Sequence, residues 1–479
     1  MNTFSKFYFH LFLTAISGVL CILAFPPFDY SFLIWICYTP FLFSIFKISS
    51  SKKNVFGKLL LNGLLFGMIF FYGSLNWMHN LFGIYSYILI IILCFYPLIF
   101  SLCLGLVLRK KPNPFYFILA SVLFWISIEF FKSEGWRLKF SWLNPGYTQH
   151  NCLPILQFAS VLGQYGLSAL IIFSNSALTL LLFSSFKTRT RIIFLFTAIL
   201  FAVTIFLYGN HKLDSKFNAS ISVGLIQAEN SDTVTFKRLC NKLPESSNFV
   251  IFPEYAFRNC LDEDSTTINF IKHFPFSEKT WIVACAIDRT TNGTGFYNTA
   301  YLLSKGEIFG RYYKNNPVQF VNDGFPGNSF PVFQTDFCKA GILICYDMDY
   351  SYVSRNLTKN GAEILLIPTL DAMRWSETQH IQHSAMTSMR AVENGRFIAR
   401  AASSGISQII DPNGKLLFSI PIGKTDVVSG KIMPISDFTF YTLYGYLFPY
   451  LCIFGSLILI IATLLSKKIF STQASPPAL

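Results

Sequence analysis

Three residues of chemically useful types stand at or just past apolar, strand-like segments in the second half of the chain. Glu254 follows a proline, Lys314 follows two tyrosines, and Cys345 follows the apolar run Gly341–Ile344. A cysteine attacks as its thiolate and needs a base to remove its proton. A carboxylate with a raised pKa can serve as that base, and a lysine can stabilise the oxyanion that the attack creates. Together the three residues could perform nucleophilic acyl transfer without a histidine.

Each of these residues has an ordinary alternative interpretation when it is taken alone. Glu254 could be a solvated loop carboxylate, Lys314 could extend over aromatic surface, and Cys345 could be an inert buried cysteine. The occurrence of all three roles in one segment favours the catalytic interpretation.

Other chemistry has weaker support in the sequence. His380 and His383 could ligate a metal, but no third ligand is evident, and the pattern favours a solvated helix face. The sequence contains no GxSxG, P-loop, HExxH or GxGxxG motif. We therefore expect neither a metal nor a cofactor.

The segment that carries these residues alternates short apolar runs with polar stretches. Glu377–Asn394 predicts a helix that stops at Gly395. Strands alternating with helices predict an α/β layered domain, in which ligands bind at strand ends. The predicted strands are Ser222–Gln227, Asn248–Phe252, Trp281–Ala286, Ala300–Leu303, Ala340–Cys345, Glu363–Pro368 and Phe397–Ala402.

The rest of the chain is too apolar for a soluble protein. Hydrophobic residues make up 52% of the chain and charged residues only 13%, whereas soluble domains carry about 25% charged residues. Runs of about 20 apolar residues can cross a bilayer. Eight runs predict membrane spans: Phe7–Phe25, Ser31–Ser49, Leu59–Asn76, Tyr85–Leu108, Phe115–Phe131, Ile155–Phe183, Ile192–Tyr208 and Phe448–Leu465.

The distribution of Lys and Arg predicts the orientation of these spans. With a cytoplasmic N-terminus, thirteen cations fall on cytoplasmic segments, Lys52, Lys467 and Lys468 among them, and only three fall on short outer loops. This asymmetry follows the positive-inside rule and places residues 211–446 outside the cytoplasm. That segment holds 22 Lys and Arg and 22 Asp and Glu. The net charge of +13 therefore reflects topology, and nucleic-acid binding is not expected.

Four regions follow from these patterns. We predict a transmembrane bundle of about seven helices over residues 1–210 and a catalytic domain over 211–446. A C-terminal transmembrane helix over 447–467 and a cytoplasmic tail over 468–479 complete the chain.

Glu254, Lys314 and Cys345, at these separations, resemble the Glu–Lys–Cys triad of the nitrilase (carbon–nitrogen hydrolase) superfamily. The whole chain resembles the apolipoprotein N-acyltransferase family, which couples such a domain to eight spans. The supporting segments are Phe140–Tyr147, Gly163–Ser168, Gln379–His380, Arg390–Arg396 and Arg400–Ser407. The resemblance implies a membrane α-helical bundle plus an extracytoplasmic α/β nitrilase-like domain with an α-β-β-α sandwich.

The resemblance also implies a two-step reaction in the bacterial inner membrane. Cys345 would take an acyl chain from a phospholipid donor and then pass it to the N-terminal amine of a diacylglyceryl-modified apolipoprotein. Glu254 would act as base and then acid, while Lys314 and nearby backbone N–H groups would stabilise the oxyanion. No cofactor and no nucleic acid are implied, and the protein is expected to be a monomer.

Two departures from the family pattern accompany this resemblance. Asp347 stands where the family usually has glutamate, and the second family glutamate falls on Asn322, with Asp323 next to it. Because that glutamate is expected to orient the lysine, its loss predicts a less efficient site. Two other classes of function remain open. The first is a membrane-tethered amidase-like hydrolase that uses the same triad with water. The second is a lipid-binding or transport protein, although only Glu129 offers a charge near a predicted span.

Overall fold

The computed structural model describes residues 3–51, 53–183, 186–257, 259–261, 263–272, 279–290 and 293–465. The predicted tail 468–479 and the predicted cytoplasmic cations Lys52, Lys467 and Lys468 lie outside these ranges. The α-helices are α1 (Thr3–Ala24), α2 (Ile34–Cys37), α3 (Thr39–Ser49), α4 (Val55–Leu75), α5 (Met78–Phe82), α6 (Tyr85–Lys110), α7 (Pro114–Glu134), α8 (Leu153–Leu156), α9 (Ala159–Phe183), α10 (Thr188–Leu213), α11 (Thr233–Cys240), α12 (Ser265–Lys272), α13 (Ser351–Lys359), α14 (Glu377–Asn394), α15 (Phe440–Tyr444) and α16 (Leu447–Leu465).

The strands are β1 (Ile221–Gln227), β2 (Phe249–Ile251), β3 (Trp281–Arg289), β4 (Phe296–Ser304), β5 (Glu307–Tyr313), β6 (Val332–Gln334), β7 (Lys339–Ile342), β8 (Ile364–Thr369), β9 (Phe397–Ala402), β10 (Ser407–Ile410), β11 (Leu416–Ile420) and β12 (Asp426–Ile432). Three short 3-10 helices cover Ser31–Leu33, Pro145–Gln149 and Cys345–Asp349.

Within the described ranges, eight helical segments are long and apolar enough to cross a membrane, and they coincide with the eight predicted runs apart from shifts at their ends. The second of them, Ser31–Ser49, combines a 3-10 helix with α2 and α3. The predicted span Ile155–Phe183 is divided in the structure, because α8 ends at Leu156 and Gly163 interrupts α9 with a φ of 65°. The ring of Tyr441 lies where a side chain at Gly163 would stand.

Helices α4 and α6 pack closely through two glycines one turn apart. A Cβ atom on Gly63 would lie 2.5 Å from the Cα of Leu98, and one on Gly67 would lie 2.8 Å from the Cα of Cys94. Small residues at this spacing let two helix backbones approach each other in a membrane bundle. Helix α6 is thereby held where its outer end can contact the second half of the chain.

Two charged residues are buried in α7, whereas the sequence had offered only Glu129 as a charge near a predicted span. Glu129 is 4% exposed and accepts hydrogen bonds from Ser168 and Trp125, at 2.8 and 2.9 Å. Lys132 is 5% exposed and donates to the backbone oxygen of Trp142 at 2.7 Å. These bonds lie between spans and their outer loop, which indicates a structural role rather than an ion path.

The described residues in the second half of the chain form two six-stranded sheets. The strand orders are β12-β1-β2-β3-β4-β5 and β11-β10-β9-β8-β7-β6. Strands β1 to β3 are parallel, as are β7 to β9, and the outer strands pair antiparallel. Parallel strands place their carboxyl ends at one edge of a sheet.

The two sheets pack face to face, with helices on both outer faces. Val223, Leu225 and Ile251 of the first sheet share a buried cluster with residues of the second sheet. The alternate residues of the first sheet, such as Ile226 and Val250, pack instead with α11 and α12. Helices α13 and α14 cover the second sheet. The expected α-β-β-α sandwich beside a membrane helical bundle is therefore confirmed.

Candidate active site

Glu254, Lys314 and Cys345 all follow strands whose carboxyl ends meet at one place. Lys314 Nζ lies 2.8 Å from Glu254 Oε1. Cys345 Sγ lies 3.6 Å from the backbone oxygen of Leu370, while the backbone N–H of Leu370 donates to Glu254 Oε2 at 2.7 Å. The structure thus brings together all three residues that the sequence singled out.

Glu254 is buried and accepts three hydrogen bonds. Beside Lys314 and Leu370, Asn298 donates to its Oε1 at 2.6 Å. Its side chain is only 1% exposed, which excludes the alternative of a solvated loop carboxylate. Burial raises the pKa of Glu254, and the charge of Asp323 raises this pKa further, while Lys314 opposes the rise. A carboxylate with a raised pKa is suited to accept a proton near neutral pH.

Lys314 lies between two carboxylates. Its Nζ donates to Glu254 at 2.8 Å and to Asp323 Oδ2 at 2.7 Å, and its side chain is 1% exposed. Burial alone would lower the pKa of Lys314, but Asp323 and Glu254 outweigh it, and the pKa rises well above its usual value. The lysine is therefore a fixed cation, and the alternative of a lysine extended over aromatic surface was wrong.

Asp323, the neighbour of Asn322, supplies a second carboxylate to the site. Asn322 is exposed, whereas Asp323 is buried. Asp323 accepts hydrogen bonds from Tyr255 Oη, Asn298 Nδ2 and the backbone N–H of Val318, each at 2.8 Å. Burial opposes its ionisation, but Lys314 outweighs this effect and lowers the pKa of Asp323. The site therefore holds two different carboxyl groups beside Lys314: Asp323, which stays ionised, and Glu254, whose pKa is raised.

Cys345 opens the 3-10 helix Cys345–Asp349 in a left-handed backbone conformation, with a φ of 48°. Such a conformation costs a non-glycine residue on the order of 1–3 kcal/mol and is frequent at functional sites. Because of this turn, β7 ends at Ile342 and not at Cys345 as predicted. Burial raises the pKa of the Cys345 thiol well above its usual range, and the charge of Glu254 adds to this rise. The sulfur therefore carries its proton until a base removes it.

Asp347 joins the turn of the nucleophile to the segment that follows Lys314. Its carboxylate accepts hydrogen bonds from Tyr312 Oη and from the backbone N–H of Asn316, both at 2.7 Å. It also accepts from the backbone N–H of Ile344 at 3.2 Å. The aspartate at this position thus makes a complete set of hydrogen bonds despite its departure from the family glutamate.

His380 and His383 are buried, so the prediction of a solvated helix face for them was wrong. His383 Nδ1 lies 2.8 Å from Asp371 Oδ1, and its Nε2 lies 3.3 Å from Asp349 Oδ1. Burial alone would lower the pKa of His383, but these two carboxylates raise it to about 9. In the ranges that the structure describes, no group of three or more His, Cys, Asp and Glu side chains could hold a metal ion.

Cys345 lies on the wall of an apolar cavity that opens to the surface. We call this space the apolar cavity. Sequence reasoning missed its walls, because most of them come from membrane helices and an outer loop that are far from the triad in the chain. Its apolar lining is Met78, Leu81, Phe82, Leu89, Ile92, Leu93, Leu138, Phe140, Trp142, Val318 and Phe320. The nucleophile therefore faces a space that extends to α5 and to the outer end of α6.

Comparisons with known proteins agree with this arrangement. The family model described as "Apolipoprotein N-acyltransferase N-terminal domain" matches residues 17–177, and the "Carbon-nitrogen hydrolase" model matches residues 242–434. Together, the fold, the site and the second match define a membrane-bound protein of the carbon–nitrogen hydrolase class.

Similarity to individual proteins narrows this class to one family. An apolipoprotein N-acyltransferase of Geobacter metallireducens is 27% identical, with 93% of each chain covered, and one of Haemophilus influenzae is 24% identical, with 92% of each chain covered. The solved structure of Nit3 of Saccharomyces cerevisiae, of the nitrilase superfamily, is 18% identical with a TM-score of 0.39, covering 49% of this chain and 96% of that chain. The chain belongs to the apolipoprotein N-acyltransferase family and is a bacterial membrane protein.

Proposed function

We propose that this protein moves an acyl chain from a membrane phospholipid, through a thioester on Cys345, to the N-terminal amine of a diacylglyceryl-cysteine lipoprotein. The observation that carries this proposal is the apolar cavity whose lining joins Cys345 to α5 and α6. An acyl chain in this cavity would place its ester carbonyl beside the sulfur. Family membership supports the same substrates.

The first half of the reaction transfers the acyl group to the enzyme. Glu254 takes the proton from Cys345 Sγ, and the sulfur attacks the ester carbonyl carbon of the phospholipid. Lys314 and the backbone N–H groups of the turn after Cys345 stabilise the oxyanion. When the intermediate collapses, the C–O bond breaks and protonated Glu254 gives its proton to the leaving alkoxide. A lysophospholipid departs and the thioester remains.

The second half of the reaction transfers the acyl group to the acceptor. The α-amine of the diacylglyceryl-cysteine attacks the thioester carbon, and Glu254 removes a proton from the nitrogen. Lys314 stabilises the second oxyanion in the same way. The C–S bond then breaks, the sulfur regains its proton from Glu254, and an amide is released. Since Lys314 keeps its proton in both halves, only Glu254 shuttles protons.

A hydrolase that uses the same triad with water is the second candidate. The three site residues would serve it equally well, so the triad alone does not separate the two functions. The extension of the apolar cavity to the membrane helices favours lipid substrates, because a small soluble amide would not require it.

The acceptor can be tested by following a labelled acyl chain. The purified full-length protein is incubated with phospholipid carrying labelled acyl chains and with a diacylglyceryl-cysteine peptide. We expect label on the amine of the peptide, measured by mass spectrometry, and none on a matched peptide whose N-terminus is acetylated. Labelled free fatty acid with no labelled peptide would establish the hydrolase instead.

We further propose that the protein lies in the inner membrane as a monomer, with residues 211–446 outside the cytoplasm. The charge distribution supports this orientation. Reporter fusions near residues 50, 110 and 190 should therefore give cytoplasmic signals, and a fusion near residue 230 should give a periplasmic signal. A cytoplasmic signal near residue 230 would contradict both the orientation and the lipoprotein acceptor.

A further inference from the structure

Two cations lie on the proposed outer side of the membrane region, where the charge rule disfavours them. Arg137 and Lys139 follow the end of α7, whereas Lys132, the third cation of this region, is buried inside α7 against Trp142. Cations in short loops favour the cytoplasmic side. The positions of Arg137 and Lys139 on this side therefore need a structural or functional explanation. Neither residue belongs to the triad.

Both cations line a second cavity, which is open to the surface. We call it the polar cavity, and its lining also includes Asn316, Gln319, Tyr346 and Tyr352. Lys139, Gln319 and Tyr346 line the apolar cavity as well, so the two spaces adjoin. Tyr346 is the neighbour of Cys345 in the chain, which places the nucleophile close to the junction.

Aromatic rings hold the ammonium group of Lys139 without neutralising it. Its Nζ lies 4.1 Å from the ring centroid of Tyr350 and 4.7 Å from that of Tyr352. Such contacts favour a cation and leave its charge in place. Within the described residues, neither Lys139 nor Arg137 forms an ion pair with a carboxylate.

The carboxylate that shares this cavity has other hydrogen-bond partners. Glu134 accepts hydrogen bonds from Tyr446 Oη at 2.8 Å and from Ser351 Oγ at 3.1 Å. The polar cavity is also lined by Asn315, whose side chain donates to Tyr312 Oη at 2.9 Å and to the backbone oxygen of Ser329 at 3.0 Å. The two cations therefore remain the groups of this cavity that suit an anion.

We infer that the polar cavity binds the phosphodiester of the donor glycerophospholipid, with Lys139 and Arg137 as its cationic contacts. This inference rests on the proposed function. In a glycerophospholipid, the glycerol joins the acyl ester to the phosphate by only a few bonds. With the chain in the apolar cavity and the ester at Cys345, the phosphate reaches the adjoining polar cavity. Recognition of that charge selects phospholipids over neutral acyl esters.

The test compares two acyl donors in Lys139→Gln and Arg137→Gln. One donor is a phosphatidylglycerol with labelled acyl chains, and the other is p-nitrophenyl palmitate, which carries no phosphate. For each variant we expect the apparent KM for the phospholipid to rise about tenfold, as for the loss of one charge-assisted contact. The rate of Cys345 labelling at saturating phospholipid should stay within about twofold. Because Lys139 also lines the apolar cavity, the deciding quantity is the difference between the donors: the apparent KM for p-nitrophenyl palmitate should rise much less than that for the phospholipid. Lys415→Gln is the matched control, because Lys415 is exposed and lines neither cavity.

Three results would overturn the inference. An equal loss of labelling with both donors would show that the two cations have a structural role. An unchanged KM for the phospholipid would show that they do not contact it. The third result concerns free phosphate. If millimolar inorganic phosphate changes wild-type labelling by both donors alike, and Lys139→Gln removes this effect, the cavity is an anion site unrelated to the donor. Failure of the proposed function itself would look different, since the wild type would then take no label from the phospholipid.

Discussion

Replacing Cys345 with alanine is expected to abolish covalent acylation of the protein by phospholipid. The sulfur is the only atom of the triad that forms a bond to the acyl group in the proposed reaction, and alanine offers no nucleophile. Incubated with labelled phospholipid and no acceptor, the wild type should accumulate one labelled thioester, as in other ping-pong reactions. Hydroxylamine should release this label, and an added diacylglyceryl-cysteine peptide should discharge it. The measurement is label per protein, resolved by mass spectrometry of the peptide that contains Cys345.

A second buried cysteine provides the matched control for this variant. Cys338 and Cys345 are both 4% exposed and flank the same strand, β7, but Cys338 does not line the apolar cavity. Cys338→Ala should therefore take up label like the wild type. Cys345→Ser should form an ester slowly or stall at that stage, because a hydroxyl is a weaker nucleophile at neutral pH. Undiminished label in Cys345→Ala would place the acyl group on another residue.

The elements that position the triad were predictable because local patterns determine them. Helix α14 and strand β9 have the predicted bounds, since a glycine in the left-handed region ends the helix and a short aliphatic run forms the buried strand. The edge strands were missed. Strand β11 begins with the short apolar run Leu416–Phe418, but its side chains are largely exposed, so burial does not mark it as a strand. It pairs antiparallel with β10 at the edge of the second sheet.

The parts of the site that the sequence did not reveal depend on contacts between distant segments. Asp323 was passed over in favour of its neighbour Asn322, because a loop alignment counts positions and cannot say which side chain turns inward. His383 was predicted to be solvated, because its two carboxylate partners come from different segments, at Asp349 and Asp371. One signal of this burial was available in the sequence. The two histidines lie on a helix whose sequence is otherwise that of a buried, amphipathic helix. The apolar cavity needs both halves of the chain, so neither half could predict it.

Glu254→Gln is expected to slow thioester formation by a factor on the order of 10²–10⁴, the usual contribution of a general base. Glutamine has nearly the same shape and can still accept hydrogen bonds from Lys314 and Asn298, but it cannot take the proton of Cys345. Single-turnover labelling at a series of pH values measures the effect. In the wild type, the rate should fall as the pH drops through the raised pKa of Glu254, because only the ionised carboxylate is a base. This fall of the rate at low pH is the acid limb of the pH–rate profile. In Glu254→Gln the acid limb should disappear along with most of the rate.

Asp323→Asn separates loss of the base from loss of a neighbouring charge. Both variants remove one carboxylate from Lys314, but Asp323→Asn leaves Glu254 in place, so we expect a loss of only about tenfold. Because the charge of Asp323 raises the pKa of Glu254, its removal should lower that pKa and move the acid limb to lower pH. If either residue had a merely structural role, its substitution would change the rate but leave the acid limb at the same pH. An acid limb that persists unchanged in Glu254→Gln would assign the base to another group, and a limb that moves to higher pH in Asp323→Asn would contradict the proposed coupling of the two carboxylates through Lys314.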